Sequence, residues 1–199
     1  MMDKQLALRW LNQFADEVIR CKELLSILDT AIGDGDHGVN MARGANMLKE
    51  SFKTNEPESL QDVFKTAGMT LLSKVGGASG PLYGSAFISM AKSIDSNELT
   101  HEQLTNVLEA GLNGIKQRGK AVVGEKTMID VWQPAVEAMA SHQLSFDTID
   151  ASVEGTKEIR ATKGRAAFLG ERSIGHIDPG AYSSSLLFKS LLEAGGVDD

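Results

Sequence analysis

Apolar residues recur at steps of three and four along most of the chain, which is the period of amphipathic helices. The first pattern runs from Leu6 to Leu28 and predicts one long helix that stops near Asp29. Similar patterns follow over about 40–52 and 60–72. Because no segment shows the alternating β-branched residues typical of half-buried strands, the pattern predicts an all-α fold of about eight helices.

The second half of the chain carries further helical patterns. Thr100 and Gln103 have the spacing of a capping box and predict the start of a helix. Three more helices are predicted over roughly 126–142, 147–163 and 180–194. Helices are therefore expected along nearly the whole chain.

The composition is that of one globular domain. The 199 residues are 42% hydrophobic, enough to fill one sizeable core, so a single domain over 1–199 is expected. The formal net charge of −7 argues against a nucleic acid as partner. Cys21 has no second cysteine to pair with, which fits a reducing cytoplasm, and the sequence shows neither an export signal nor a membrane span.

Glycine is concentrated in four segments that the pattern places between helices: 33–38, 76–84, 119–124 and 164–180. Polar turn residues can reverse a helical chain without so much backbone freedom. We therefore expect a ligand to approach the backbone of these segments closely.

The first glycine-rich segment also carries acidic residues. Asp29, Asp34 and Asp36 lie within eight residues at the junction of two predicted helices, where their mutual repulsion is costly without a cation. Carboxylate oxygens are the ligands that Mg²⁺ prefers, and three of them could bridge a pair of ions. The alternative is that an aspartate only caps the following helix while the glycines shape a turn.

Two other kinds of metal site fit the sequence poorly. A calcium-binding EF-hand loop that starts at Asp34 would need glutamate at its twelfth position, where Ala45 stands. A zinc site could use His37 and His176, but the chain has no HExxH motif and no paired cysteine and histidine spacing. Magnesium remains the favoured metal.

The second glycine-rich segment, Gly76 to Gly80, is followed by Pro81 and is typical of a loop that enters a helix. Free N–H groups at such a place can bind phosphate, although a tight contact between helices would also require small residues. The acidic segment favours phosphate, because metal ions would join the two. A nucleoside diphosphate of about −3 and three aspartates together need roughly two Mg²⁺ for near neutrality.

Three long segments, 32–41, 71–84 and 169–180, closely resemble the L-subunit family of phosphotransferase-dependent dihydroxyacetone kinase. The similarity extends from Trp10 to about Leu187. It implies a barrel of antiparallel helices, about eight in number, that holds ADP in the loops at one end. The helical periodicity alone could not have selected this barrel.

The resemblance also implies the residues of the site. Asp29, Asp34 and Asp36 would ligate two Mg²⁺ ions, and no catalytic residue is expected beyond the metal and phosphate ligands. Lys126 and Arg172 lie in the similar segments, but a surface ion pair or a helix-end charge explains each as well as direct catalysis. The implied nucleotide contacts are His37, Gly38, Val39, Asn40, Ala78, Ser79, Gly119, Met128, Arg165, Asp178, Pro179 and Gly180.

In this family, the resemblance implies, ADP is a resident cofactor. A phosphohistidine on the M subunit of the phosphotransferase system phosphorylates it to ATP, which then phosphorylates dihydroxyacetone bound on the K subunit. Three alternatives stay open: a kinase module that exchanges free ATP in every cycle, a regulatory module that binds a transcription factor in its ADP form, and a metal-free scaffold domain.

Overall fold

The computed structural model describes residues 1–197, and that part of the chain contains nine α-helices. The predicted all-α class is confirmed. Two short strands were not predicted; they pair antiparallel, with Met2 opposite Leu99. The elements are β1 (Met2–Asp3), α1 (Lys4–Arg20), α2 (Lys22–Ile32), α3 (His37–Thr54), α4 (Leu60–Lys74), α5 (Ser79–Ser93), β2 (Glu98–Leu99), α6 (His101–Gly119), α7 (Ile129–Ala140), α8 (Phe146–Gly155) and α9 (Pro179–Glu193), with 3₁₀ segments at Thr156–Glu158 and Arg165–Ser173.

Eight of the helices form a closed ring. Each of α3 to α8 packs against the next helix in the chain, α9 packs against α8, and α1 closes the ring by packing against both α9 and α3. The indole Nε1 of Trp10 in α1 donates a hydrogen bond of 2.8 Å to the Leu187 carbonyl in α9. Helix α2 is the ninth helix and lies against α3, α9 and the second 3₁₀ segment.

A single large core fills the ring. It draws buried residues from Met2 at one end of the chain to Ala194 at the other. Trp132 and Phe188 meet edge to face with ring centroids 5.0 Å apart, which joins α7 to α9. Among the described residues, no helix is long and apolar enough to cross a membrane.

The prediction of one long first helix was wrong. The helix is interrupted at Cys21, whose ψ of 8° departs from helical geometry, and α2 begins at the next residue. Because the hydrophobic spacing continues across this one-residue break, the sequence pattern does not reveal it. Helix α2 then ends at Ile32, which places Asp29 in its last turn.

The helix predicted over 147–163 was also too long. Helix α8 ends at Gly155 and one 3₁₀ turn follows, but residues 159–163 are not helical. Their N–H groups bond to other loops instead: Ala161 donates to Ser173 Oγ and Thr162 donates to the Glu125 carbonyl. At the start of α6 the capping box predicted from Thr100 and Gln103 is confirmed.

Several glycines predicted to lie between helices are inside them and permit close packing. A Cβ on Gly80 of α5 would lie 2.3 Å from the Val75 carbonyl oxygen, and one on Gly84 would lie 2.7 Å from Leu72 Cβ. The alternative of a tight helix contact therefore holds for these two glycines, while Gly76 and Gly77 stay in the loop before α5.

Candidate metal and nucleotide site

Four connecting segments meet at one end of the helical ring and enclose a cavity of about 580 Å³. They are the α2–α3 loop, the α4–α5 loop, the loop between α6 and α7, and the segment that leads into α9. These segments contain part of each glycine-rich stretch of the sequence. Residues far apart along the chain therefore share one cavity.

The α2–α3 loop brings the three aspartates together. Gly35 has a φ of 79°, a left-handed conformation that glycine adopts without strain, and this turns the chain sharply between Asp34 and Asp36. Each of Asp29, Asp34 and Asp36 offers a carboxylate oxygen, and these oxygens all lie within 4.8 Å of one another. Asp29 is buried and the other two are exposed to the cavity.

The electrostatics of this cluster fit a bound cation. Burial raises the pKa of Asp29, the neighbouring carboxylates of Asp34 and Asp36 raise it further, and the His37 N–H opposes this by donating to Asp29 Oδ2 at 3.0 Å. A divalent ion would remove the repulsion among these groups. Capping does not account for the cluster, because Asp36 precedes α3 and its side chain makes no capping hydrogen bond.

Arg165 is the nearest counter-charge to the cluster. Its Nη2 lies 2.9 Å from Asp34 Oδ2, although 70% of the arginine side chain is exposed. An exposed pair of this kind is worth little by itself, and the guanidinium can turn toward a phosphate. Asp34 thus belongs to the carboxylate cluster and has a cationic partner in the same cavity.

The α4–α5 loop lines the same cavity as the aspartates. Ala78 and Ser79 at the start of α5 line the cavity, where the first N–H groups of a helix have no partner within the helix. A Cβ on Gly76 would lie 2.5 Å from Asn40 Oδ1, so glycine lets Asn40 of α3 approach the loop. Arg43 donates to the same Oδ1 at 3.1 Å, which fixes the orientation of the Asn40 amide.

His37, at the start of α3, connects the side chains of Ser79 in α5 and Ser183 in α9. Its Nδ1 lies 3.1 Å from Ser79 Oγ and its Nε2 lies 3.0 Å from Ser183 Oγ in α9. Burial lowers the pKa of His37 to about 4, so the ring is neutral near pH 7. A neutral ring with both nitrogens engaged is a bridge between side chains.

The cavity lining also includes residues at or next to the ends of α6, α7 and α9. Met128, next to the start of α7, is buried, and Gly119 lies exposed at the end of α6. Asp178 caps α9 by accepting a 2.8 Å hydrogen bond from the Ala181 N–H. Burial raises the pKa of Asp178 to about 7, which the Ala181 N–H and Lys126 oppose.

Lys126 is neither a surface residue nor a helix-end charge, so both explanations considered for it were wrong. Its side chain is 1% exposed and its φ is 62°. The Nζ donates to the carbonyls of Thr156 and His176, and so ties the loop before α7 to the segment that precedes Asp178. No sequence signal marks this role; Arg172, by contrast, is exposed and does not line the cavity.

Most residues implied by the resemblance line the cavity, and two do not. Gly38 faces away, since a Cβ there would lie 2.0 Å from the Lys22 carbonyl oxygen in α2. Val39 is 50% exposed outside the cavity lining. The lining also contains polar and charged residues that were not singled out as nucleotide contacts: Arg118, Lys126, Thr127 and Lys163.

Fold and site together define an all-α domain in which three clustered carboxylates and the start of α5 share one cavity of about 580 Å³ at the end of a ring. The model of the DAK2 domain family matches residues 31–193, and the chain belongs to this family.

Proteins similar to the chain include dihydroxyacetone kinase subunits. The PEP-dependent dihydroxyacetone kinase 1, ADP-binding subunit DhaL, of Listeria innocua is 61% identical over 96% of each chain. The corresponding subunit of Escherichia coli is 40% identical over 92% of each. The dihydroxyacetone kinase of C. freundii in complex with AMP-PNP and Mg²⁺ superposes with a TM-score of 0.75 at 26% identity; the match covers 97% of this chain and 34% of that one.

Proposed function

We propose that the chain, as a single domain, is the ADP-binding subunit of a PEP-dependent dihydroxyacetone kinase. The observation that carries the proposal is the placement of three carboxylates and the start of α5 in one cavity. The names of the Listeria and Escherichia relatives, which are similar over nearly their whole length, support the same assignment.

Two Mg²⁺ ions are proposed to lie on the aspartate cluster. Asp29, Asp34 and Asp36 carry three negative charges when ionised, and a nucleoside diphosphate adds about three more, so two divalent ions bring the sum near neutrality. Bound magnesium supplies charge neutralisation for the phosphates, and the bound nucleotide carries the phosphoryl group between partners. The described chain offers ligand oxygens from three side chains, which fits ions that keep some water.

The remaining lining residues are proposed to hold the nucleotide. The backbone N–H groups of Ala78 and Ser79 face the phosphates, with His37 to Asn40 at the start of α3 and Arg165 as the flanking cation. Met128 and Gly119 are proposed to contact the adenine, and the turn from Asp178 to Gly180 is proposed to close that part of the cavity. His37 to Asn40 includes Gly38 and Val39, which would act through the backbone at most.

The chemical role of this chain is to position and neutralise. Phosphoryl transfer needs aligned oxygens and fixed positive charge more than a covalent intermediate on the carrier. Two partners are proposed to reach the nucleotide in turn: an M subunit with a phosphohistidine donor, and a K subunit that holds dihydroxyacetone. Exposed apolar side chains of Val122 and Phe168, close in sequence to lining residues, support docking at the cavity mouth.

The test measures how much ADP and magnesium stay bound to protein that is purified without added nucleotide. After denaturation, the released nucleotide is separated by anion exchange and magnesium is measured on the same sample. About one ADP and two Mg²⁺ per chain are expected for a resident cofactor. Protein that is empty when purified, and that stays empty after addition of ADP and magnesium, would contradict the proposal.

A further inference from the structure

A continuous chain of polar side chains runs from the start of α5 into the centre of the helical ring. His37 connects Ser79 to Ser183, and the Tyr83 hydroxyl then lies 2.8 Å from Ser183 Oγ and 3.0 Å from Ser184 Oγ. The chain ends at α7, where the Trp132 indole donates a 3.2 Å hydrogen bond to Ser184 Oγ.

The inner members of this chain have no contact with solvent. Tyr83, Trp132, Ser183 and Ser184 are all 0% exposed. Buried hydroxyl groups cost stability unless they are hydrogen-bonded, and apolar residues of similar size would fill the same space without that requirement. Packing alone therefore does not explain why these groups stand behind the phosphate-facing loop.

These hydrogen bonds link the start of α5 to the core. The Trp132 indole can only donate, so Ser184 Oγ accepts from it. His37 connects the two ends, because its Nδ1 lies 3.1 Å from Ser79 Oγ and its Nε2 lies 3.0 Å from Ser183 Oγ, which is also 3.2 Å from the Gly180 carbonyl oxygen. The position of the Ser79 side chain is thus linked through His37 to side chains in the core.

The same network joins the elements that build the site. His37 begins α3 next to the aspartates, Ser79 begins α5, and Ser183 lies in the first turns of α9 after the Asp178 cap. Tyr83 is one turn beyond Ser79 in α5. A single network therefore sets the relative position of the metal loop, the phosphate-facing helix start and the α9 turn.

We propose that Tyr83, Ser183 and Ser184 are positioning residues for the nucleotide, acting through His37 to hold Ser79 and the first turn of α5 against the metal loop. This inference rests on the proposed function, because it assumes that the phosphates lie at the start of α5. None of the three lines the cavity, so their effect is on how well the binding groups are prearranged.

The experiment compares Ser183→Ala and Tyr83→Phe with Ser190→Ala. Ser190 is a matched control: it lies in α9, is 0% exposed, and its hydroxyl has no partner among residues 1–197. Each protein is stripped of nucleotide, the dissociation constant of ADP with Mg²⁺ is measured by titration calorimetry, and the melting temperature is recorded without ligand. Ser183→Ala and Tyr83→Phe should bind ADP about tenfold more weakly, while Ser190→Ala binds like the wild type.

The outcomes separate the inference from the proposed function. Wild-type protein that does not bind ADP would overturn the proposed function itself. If the wild type binds ADP and both network variants bind within about twofold of it, whatever their melting temperatures, the network is merely structural and the inference fails.

Discussion

Asp34 belongs to the carboxylate cluster and also forms the ion pair with Arg165. Its carboxylate belongs to the group of oxygens within 4.8 Å of one another, and it also pairs with Arg165. Arg165 can balance one of the cluster's charges, which leaves the buried Asp29 and the exposed Asp36 without a cation of their own among these contacts. This charge pattern explains why the site should bind magnesium tightly.

The substitution Asp34→Asn tests this view. It keeps the shape of the side chain but removes its charge, so one metal ligand is weakened and ADP loses its link to the protein. We expect the ADP affinity in magnesium to fall at least about a hundredfold by calorimetry. Asp95→Asn, at an exposed loop position two residues after the far end of α5, is the control. Equal ADP binding by both variants would contradict the metal assignment.

Asp178 gives a prediction for pH. Its pKa rises from the ordinary 3.8 to about 7 in the folded protein, so the folded state binds the proton more tightly. Its contribution to the free energy of unfolding is therefore favourable at low pH and is lost as pH rises through this range. In nucleotide-free protein, Asp178→Asn should become more stable relative to the wild type between about pH 4 and pH 7.

Urea unfolding of both proteins across this pH range is the measurement. The comparison cancels the opposite effect of His37, whose lowered pKa makes the folded state less stable as pH falls. Asparagine can still cap α9 by accepting from Ala181, so the cap itself is preserved. A stability difference that does not change with pH would mean that Asp178 is ionised as easily in the folded chain as in the unfolded one.

At the scale of residues, the sequence revealed the acidic and glycine-rich parts of the site but not Lys126. Three aspartates in one short segment repel each other in any conformation, so their proximity is visible without a structure. The position of Lys126 depends on carbonyls of Thr156 and His176, which its own neighbours in sequence do not specify. A buried cation that bonds to distant backbone leaves no local pattern.

Among the elements, α2 and α3 pack closely against each other near the site. Gly38 lies in the first turn of α3, where a Cβ would meet the Lys22 carbonyl oxygen and Ser26 of α2. Alanine at this position would push the two helices apart. Since α2 carries Asp29 and the loop after it carries the other aspartates, their spacing depends on this contact.

We therefore expect Gly38→Ala to lower the free energy of unfolding by about 1–3 kcal/mol, because a rigid backbone must move to admit the methyl group. Thermal unfolding of nucleotide-free protein provides the measurement. Gly155→Ala in α8 is the control, since a Cβ there meets nothing within 4 Å and alanine favours helix. A smaller loss in Gly38→Ala than in the control would show that α2 and α3 can separate freely.

The capping box of α6 makes a prediction at the end of the ring away from the site. Thr100→Ala removes the hydroxyl that accepts from the Gln103 N–H and should lower the free energy of unfolding by about 1 kcal/mol. The ADP affinity should not change, because α6 reaches the cavity only at its other end. Altered nucleotide binding in this variant would show that the two ends of the helix are coupled.

The elements also show what periodicity can and cannot predict. The apolar spacing and the caps gave α3, α4 and α6 nearly correctly, because these helices bury one face and have clear ends. The apolar spacing did not reveal the break at Cys21, because the spacing continues across it. It also did not reveal the non-helical residues 159–163, where N–H groups of the chain bond to other segments. Tertiary hydrogen bonds explain the second case, whereas the break at Cys21 is a local change of backbone angles.

On the scale of the whole molecule, the cavity lies at one end of the helical ring and is lined by charged residues. Nucleotide and magnesium would bind only the folded state, since the unfolded chain does not hold its four connecting segments together. A ligand at about 1,000 times its dissociation constant stabilises by about 4 kcal/mol. Removing both should therefore lower the melting temperature by roughly 10 °C.

The measurement is a thermal scan before and after treatment with EDTA followed by desalting. Adding back magnesium with ADP should restore the original melting temperature, whereas magnesium with an uncharged nucleoside should not. An unchanged melting temperature after complete removal would contradict a resident cofactor.

The closure of the ring could not be predicted from the helical pattern. Amphipathic helices of these lengths can pack in many ways, and the contact of α1 with α9 depends on Trp10 meeting a backbone carbonyl of residue 187. The resemblance of long segments to a known family supplied the barrel instead, and the ring of eight helices agrees with it. Periodicity set the class, and family likeness set the topology.

The contact between α1 and α9 has a consequence for biosynthesis. A growing chain that has left the ribosome only as far as α7 lacks the partner that covers Trp10 and the turn that completes the cavity. Its apolar helix faces stay exposed in a partly folded, aggregation-prone state until the last helix emerges. The nucleotide would then be captured only by finished chains, so its uptake would mark the end of folding.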